Sequence, residues 1–396
     1  MSRKQLTDSG VSIALALSGG GFRASLFHLG ALRRLNDAGL LSRMTSISSV
    51  SGGSITNGLL AAKWGLLERD AKGRFTNFGD EVEKPLRAFC GANLRNYPLI
   101  FGRLNPLNWK DLARRDYSAT NLLVERYNDD LLDGAHMGAL AGIRQNGGPS
   151  FVFCATNMQT GVNWVFDDSR IGDYMTGYTF KDDLKLAVAV AASSAFPLAF
   201  PPLAVQLDGM TWSGGKMPAG EELDRVRNKA VLSDGGVYDN MGLEPVWKSN
   251  DFVFCSDAGA PFSTDAGTGG NMFSRLKRSN DIIDRQSRAL RKRMLIQSFE
   301  RGDFGGAYWG IATAIGDYPL APRAAGYEGE TLERIAAMRT DLDEFKPGEQ
   351  AVLMNHGWLL AGAALRAHCP EWKAGVSAAP DEVLLINTAA LSALDE

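Results

Sequence analysis

The sequence predicts an α/β protein: three layers, α/β/α, with a mostly parallel central sheet and a helical C-terminal extension. Three observations carry this. Apolar strand-like runs alternate with helical patterns along the chain. A glycine turn, Ser18-Gly19-Gly20-Gly21, joins the first such run to the first helical stretch. The second strand-like run ends in Ser48-Ser49-Val50-Ser51-Gly52-Gly53-Ser54 and again opens a helix.

Val11–Leu17 reads as a buried first strand. A helix follows over Phe22–Ala38, with Phe27, Ala31, Leu35 and Ala38 at helical spacing and Gly39 to end it. Met44–Val50 is the second strand and Gly53–Leu67 the second helix. Residues 68–150 read as helices and loops, with aromatic and proline insertions at Tyr97–Phe101 and Pro106–Trp109. Strands resume at Phe151–Ala155 and Val162–Phe166, and a helix fits Asp183–Ala195. Ala230–Leu232 and Phe252–Ser256 read as buried strands, and Pro261–Asn271 as a Gly/Ser/Thr/Asp linker. Helices are expected over Phe273–Arg301, Glu330–Phe345 and Glu349–His368, with a last strand at Val383–Asn387.

With 396 residues, 45% of them hydrophobic and 22% charged, the chain can bury a large core. A net charge of -3 gives no case for nucleic-acid binding. The 4 cysteines and 4 histidines lie outside metal-ligand spacing, so neither a metal nor a cofactor is expected. The cysteines read as buried free thiols of a cytoplasmic protein. Arg3 and Lys4 before an apolar run mimic a leader, but the run is short and lacks a cleavage site. The most apolar region, Leu184–Leu207, holds Lys185 and three prolines, so no membrane span is expected.

The glycine turn follows a strand and opens a helix, so its N–H groups and the helix dipole make a place for an anion. That anion is either a phosphate or the oxyanion of an acyl-transfer transition state. Gly19-x-Gly21-x-x-Ala24 matches a relaxed dinucleotide fingerprint, which keeps a nucleotide-binding oxidoreductase open as an alternative. No acidic residue ends the second strand as that reading requires, and no Gly-Lys-Ser/Thr is present. Ser51 sits where a strand-to-helix turn exposes a hydroxyl as a nucleophile. Its run departs from Gly-x-Ser-x-Gly by carrying Ser49 first. Asp234-Gly235-Gly236 follows another apolar strand and can turn a carboxylate into a cleft. A Ser-Asp-His triad would need His356 or His368, which lie in a helical pattern; His28 lies inside the first helix and His136 in a loop. All four read as packing or surface groups.

In this order, Gly19-Gly20-Gly21-Phe22-Arg23, Ser49-Val50-Ser51-Gly52-Gly53 and Asp234-Gly235-Gly236 resemble the patatin-like phospholipases. Ala191–Pro197 resembles that family's Ala-Ser-x-Ala-x-Pro segment, and Asp234–Asn240 its Asp-Gly-Gly-x-x-x-Asn segment. The resemblance covers roughly Val11 to Val253. It implies a catalytic domain over 1–260, with 261–396 as a helical extension packed on it. It implies a lipid acyl hydrolase working through a Ser–Asp dyad without histidine. Ser51 would be the nucleophile and Asp234 the general base. The N–H groups of Gly19, Gly20, Gly21 and Phe22 would form the oxyanion hole, with Arg23, Gly53, Gly235 and Gly236 in support. Arg23 would act directly or hold the first helix through an ion pair. A non-catalytic member of the fold is a further alternative, and a thioesterase or general esterase would share the site.

The stretch 273–301 carries nine Lys or Arg against three Asp or Glu. Leu276, Ile283, Leu290, Met294 and Gln297 mark one helical face. Either that face packs on the core or it meets anionic lipid, giving a peripheral membrane contact. Oligomeric state is not legible.

Overall fold

The computed structural model describes residues 4–94, 96, 117–197, 199–261, 270–319 and 326–372. The stretches Tyr97–Phe101 and Pro106–Trp109, most of the 261–271 linker and the expected strand Val383–Asn387 lie outside the described residues.

Five parallel strands form half of the sheet, in the order β10-β9-β1-β2-β3. They are β1 (Ile13–Leu17), β2 (Ser46–Ser49), β3 (Ser150–Asn157), β9 (Phe252–Asp257) and β10 (Gly305–Gly310). Antiparallel strands form the other half: β4 (Asn163–Phe166), β5 (Ile171–Asp173), β6 (Gly177–Thr179), β7 (Leu203–Gln206) and β8 (Lys229–Asp234). Helices cover the sheet, among them α1 (Gly21–Asp37) and α2 (Gly52–Lys63). The α/β architecture, with helices over a sheet whose strands around β1 are all parallel, is thus the one the alternating pattern predicts.

One register detail positions the site. β2 pairs with β3 from Ser46↔Ser150 to Ser49↔Phe153 and then departs. β4 holds one edge of β3 at Phe153–Thr156. β8 therefore takes the edge that β2 leaves, running the other way, with Ala155↔Asp234 and Asn157↔Leu232. The ends of β2 and β8 face each other along one edge of β3. Ser51 follows one end and Asp234 closes the other.

α1 is buried almost all round because the helix Pro347–His368 crosses it. Gly30 lies against the Met354 carbonyl and Gly357 against the Phe27 carbonyl, an approach that side chains at either glycine would block. Leu32, Phe254, Trp309, Val352 and Leu360 share one apolar core.

Several expected elements differ. The helix expected over Glu330–Phe345 covers only Gly329–Ala337. At its end and beyond, Arg23 donates to the carbonyls of Ala336 and Met338, at 3.0 and 2.8 Å, and Phe22 N–H to that of Asp341 at 3.1 Å. Those tertiary bonds replace the helical ladder. The helix expected over Asp183–Ala195 is Leu186–Ser193. β10 was not anticipated, because Gly305 and Gly306 interrupt any apolar run; those glycines let it lie close against Phe252 and Val253. β5, β6 and β7 are three or four residues long, too short for a periodic signal.

Candidate active site

Ser51 adopts φ 52° and ψ -122° between β2 and α2. Among the described residues, only Asp133 shares a positive φ outside glycine. Such a backbone costs roughly 1–3 kcal/mol and persists only where surroundings enforce it. Here the enforcement is visible. Ser51 N–H donates to the Ser193 carbonyl at 3.1 Å and to Ser193 Oγ at 3.0 Å. Ser193 Oγ donates in turn to the Cys154 carbonyl of β3 at 2.6 Å. The turn leaves Ser51 partly exposed.

Asp234 is only 3% exposed. Its N–H donates to the Ala195 carbonyl at 3.0 Å, and its carbonyl accepts from Thr156 Oγ1 at 2.8 Å. Burial pushes its carboxyl up to about 7, while a hydrogen bond from the Ser51 side chain and one from Gly236 N–H at 2.7 Å pull it back. A carboxyl poised near neutrality accepts a proton far better than an ordinary aspartate.

Ser193 also binds the other side of the site, its carbonyl accepting from Gly235 N–H at 3.1 Å. One residue therefore holds both the Ser51 turn and the turn after Asp234. The sequence by itself assigns no role to the segment Ala191–Pro197. The clue was there: two serines among small residues before a proline. Asn240 is a second brace, its carbonyl accepting from Gly19 N–H at 3.0 Å.

The glycine turn lies beside Ser51. A Cβ on Gly19 would stand 3.1 Å from the Ser51 Cβ. Of the four amides expected to bind an oxyanion, two are engaged: Gly19 N–H with Asn240 and Phe22 N–H with Asp341. Among the described residues, the Gly20 and Gly21 N–H groups have no acceptor, nor has Gly52 N–H at the start of α2. Gly52 presses against the Gly21 carbonyl, so the N-termini of α1 and α2 meet at one point. Two converging helix dipoles favour negative charge there. Gly53 fits under the carbonyls of Leu17 and Ser18, and Gly235 against that of Cys154.

Arg23 is buried, and burial with Arg288 nearby lowers it to about 10. Its partners are carbonyls, those of Ala336 and Met338 and that of Ala258 at 2.7 Å, rather than the carboxylate expected of an ion pair. It holds α1 by joining β9 to the C-terminal segment.

The histidines bond elsewhere. His28 contacts Ser256 Oγ at 2.8 Å and the Ser18 carbonyl at 2.9 Å, and His356 contacts the Ile311 carbonyl at 2.8 Å. Burial lowers each to about 4, keeping both neutral. All four cysteines are buried and free. Among the described residues, no cluster of three or more His, Cys, Asp or Glu is arranged to hold a metal ion.

Among solved structures, human GIVD cytosolic phospholipase A2 bound to a methyl γ-linolenyl fluorophosphonate inhibitor and terbium chloride is 13% identical, with a TM-score of 0.50. The alignment covers 96% of this chain and 61% of that one, so the chain spans about three fifths of that enzyme's length. VipD from Legionella pneumophila is 16% identical at a TM-score of 0.37, covering 90% of this chain and 67% of that one. The likeness to the human enzyme, at 13% identity, speaks to the fold alone. No curated protein matches the chain. Residues 15–247 match the sequence model of the patatin-like phospholipases. That stretch is more than half of the molecule and contains both Ser51 and Asp234: the chain belongs to the patatin-like phospholipase family.

Proposed function

We propose that the protein hydrolyses acyl esters of lipids, in the manner of a phospholipase A or lysophospholipase, through an acyl-enzyme on Ser51. Ser51 Oγ attacks the ester carbonyl while its proton passes to the Asp234 carboxylate. The carbonyl oxygen becomes an oxyanion held by the Gly20 and Gly21 N–H groups, with Gly52 N–H a third donor. On collapse, the alcohol leaves with the proton from Asp234. Water then attacks the acyl-enzyme, gives a proton to Asp234, and releases the acid and the serine hydroxyl.

One observation carries the reading: a strained serine and a buried carboxyl raised to about 7 interact beside amides that have no acceptor among the described residues. Donors fixed in advance are worth about 3–4 kcal/mol each when they meet developing charge. That offsets the modest basicity of a carboxylate. Family membership supports the lipid substrate. A lipid ester arrives from an interface, and 273–301 is the part of the chain suited to peripheral contact with one.

Fluorophosphonate labelling followed by peptide mapping tests the mechanism. The label is expected on Ser51, with no labelling after Ser51→Ala. A lipid panel comparing wild type with Ser51→Ala then identifies the ester. A folded wild-type chain that stays unlabelled overturns the proposal.

A further inference from the structure

The strand β9 and the parallel strand β10 are joined through the helix Met272–Arg301, which therefore runs back against the strand direction. Arg288 fixes its height. Its guanidinium pairs with Asp257, the last residue of β9, at 3.2 Å and donates to the Ala260 carbonyl at 2.9 Å. The sixteen residues from Met272 to Ser287 thus run on past the carboxyl edge of the sheet, a length of about 24 Å. That is the edge on which Ser51 and the glycine turn lie. Arg291 on the same helix bonds Asp239 and the Tyr238 carbonyl, a few residues after Asp234, so the helix stands beside the turn that carries Asp234.

The solvent side of this helix carries an apolar stripe between polar residues such as Arg275, Gln286 and Arg293. Leu276 is 57% exposed, Ile283 68%, Leu290 53% and Met294 49%, whereas Leu295 is fully buried. The helix grips the body with its other face, through Leu295, Arg288 and Arg291, the last bonded to Asp239, Glu244 and the Tyr238 carbonyl. The packing alternative for the Leu276–Met294 face is therefore not what the structure adopts. Exposed Arg275 and Arg293 flank the stripe, and Val237 and Phe196 on the turns around Asp234 are 56% and 47% exposed.

We propose that the projecting half of helix Met272–Arg301 docks the protein on an anionic lipid bilayer, its apolar stripe entering the interface with the site mouth facing the membrane. The choice of occupant rests on the lipid-ester reading above. The charge pattern favours lipid over a second copy of the chain. Leu276, Ile283, Leu290 and Gln297 do recur every seven residues, as in a coiled coil. Yet the companion positions Asn280 and Ser287 are polar, and the flanking arginines would face their own copies. Anionic headgroups complement that same flank.

Docking is measured on the Ser51→Ala chain, so that no turnover is needed. The chain is sedimented with phosphatidylcholine vesicles holding about 30% phosphatidylglycerol, and with pure phosphatidylcholine vesicles. Binding is expected to be about tenfold stronger on the anionic vesicles and to weaken as salt is raised. Leu276→Glu with Ile283→Glu should cut binding about tenfold on both vesicles, and Arg275→Gln with Arg293→Gln on the anionic ones only. In the active chain, the same pairs should leave hydrolysis of a short soluble ester within about twofold, which also shows that the fold is intact. Unchanged vesicle binding in the Leu276/Ile283 pair overturns the proposal. So does a dimer, seen by light scattering, that Ile283→Glu dissociates. Vesicle binding by a chain that hydrolyses no ester would sink the catalytic reading while leaving the docking surface standing; soluble-ester hydrolysis without vesicle binding would do the reverse.

Discussion

The two halves of the sheet are built differently and contribute differently. The parallel half supplies the glycine turn and Ser51, each from a strand-turn-helix unit that is short in sequence. The antiparallel half supplies Asp234, from a strand that meets β3 nearly eighty residues after β3 forms. The proposed nucleophile and its proposed anion cradle are therefore local products, and the proposed base is a product of long-range register. Ser193 joins the two, since its carbonyl and hydroxyl hold the Ser51 turn while its carbonyl also holds Gly235.

The largest effect expected from breaking either half is loss of the reacting group itself. Ser51→Ala should abolish turnover of a fluorogenic acyl ester, and Asp234→Asn should lower kcat on the order of 10³–10⁴-fold. Both variants should keep their melting transitions, and a normal kcat in either would dissolve the pairing. Cutting the link is next. Ser193→Ala removes one acceptor of Ser51 N–H and the bond to Cys154. A kcat fall of about ten- to a hundredfold is expected, with KM little changed, since misplacing a nucleophile by about 1 Å costs that much.

The pH profile sharpens the comparison from the Asp234 side. As a base, Asp234 must be ionised, so kcat/KM should rise with pH and reach half its plateau at about 7. The same burial bears on stability with the opposite slope. An unfolded aspartate titrates near about 3.9, so folding takes up a proton between that value and about 7. Stability conferred at low pH is lost as pH climbs through that window. Asp234→Asn should remove this slope, its unfolding free energy gaining on wild type between pH 5 and pH 8 by an amount on the order of a few kcal/mol, read as a relative rise in melting temperature. A wild-type profile flat across pH 6–8 would deny the raised carboxyl. The smallest effect belongs to the histidines: His356→Ala should leave kcat/KM within about threefold once folding is matched, because its ring bonds Ile311 and not Ser51.

The same division explains what was legible in the sequence. β1, α1, β2 and α2 fall within a few residues of their expected positions because glycines and apolar spacing mark both ends of each unit. Ser51 and Asp234 are singled out by sequence, and the structure brings their side chains together. That β8 runs antiparallel into the gap left by β2 was not legible, because strand direction leaves no local mark. Nor was the engagement of Gly19 and Phe22 N–H, since Asn240 and Asp341 lie hundreds of residues away. The early end of the helix Gly329–Ala337 has the same origin: its periodicity continues, but Arg23 competes for its carbonyls. The stripe on Met272–Arg301 was legible, while the side it faces was settled only by where Arg288 and Leu295 anchor.

The bonds from Arg23 and Phe22 to residues 336–341 have a consequence for anyone trimming the molecule. The family-matched stretch ends at residue 247 and holds every group proposed for the chemistry, yet Arg23 and Phe22 within it bond residues 336–341 outside it. A chain stopped after Glu328 would strand a sequestered guanidinium without two of its three carbonyl acceptors and strip the opening turn of α1 of its cap. Such a shortened chain should take up fluorophosphonate poorly although Ser51 and Asp234 are intact. The smallest active chain is therefore expected to reach to where its backbone is clasped, more than a hundred residues beyond Asp234.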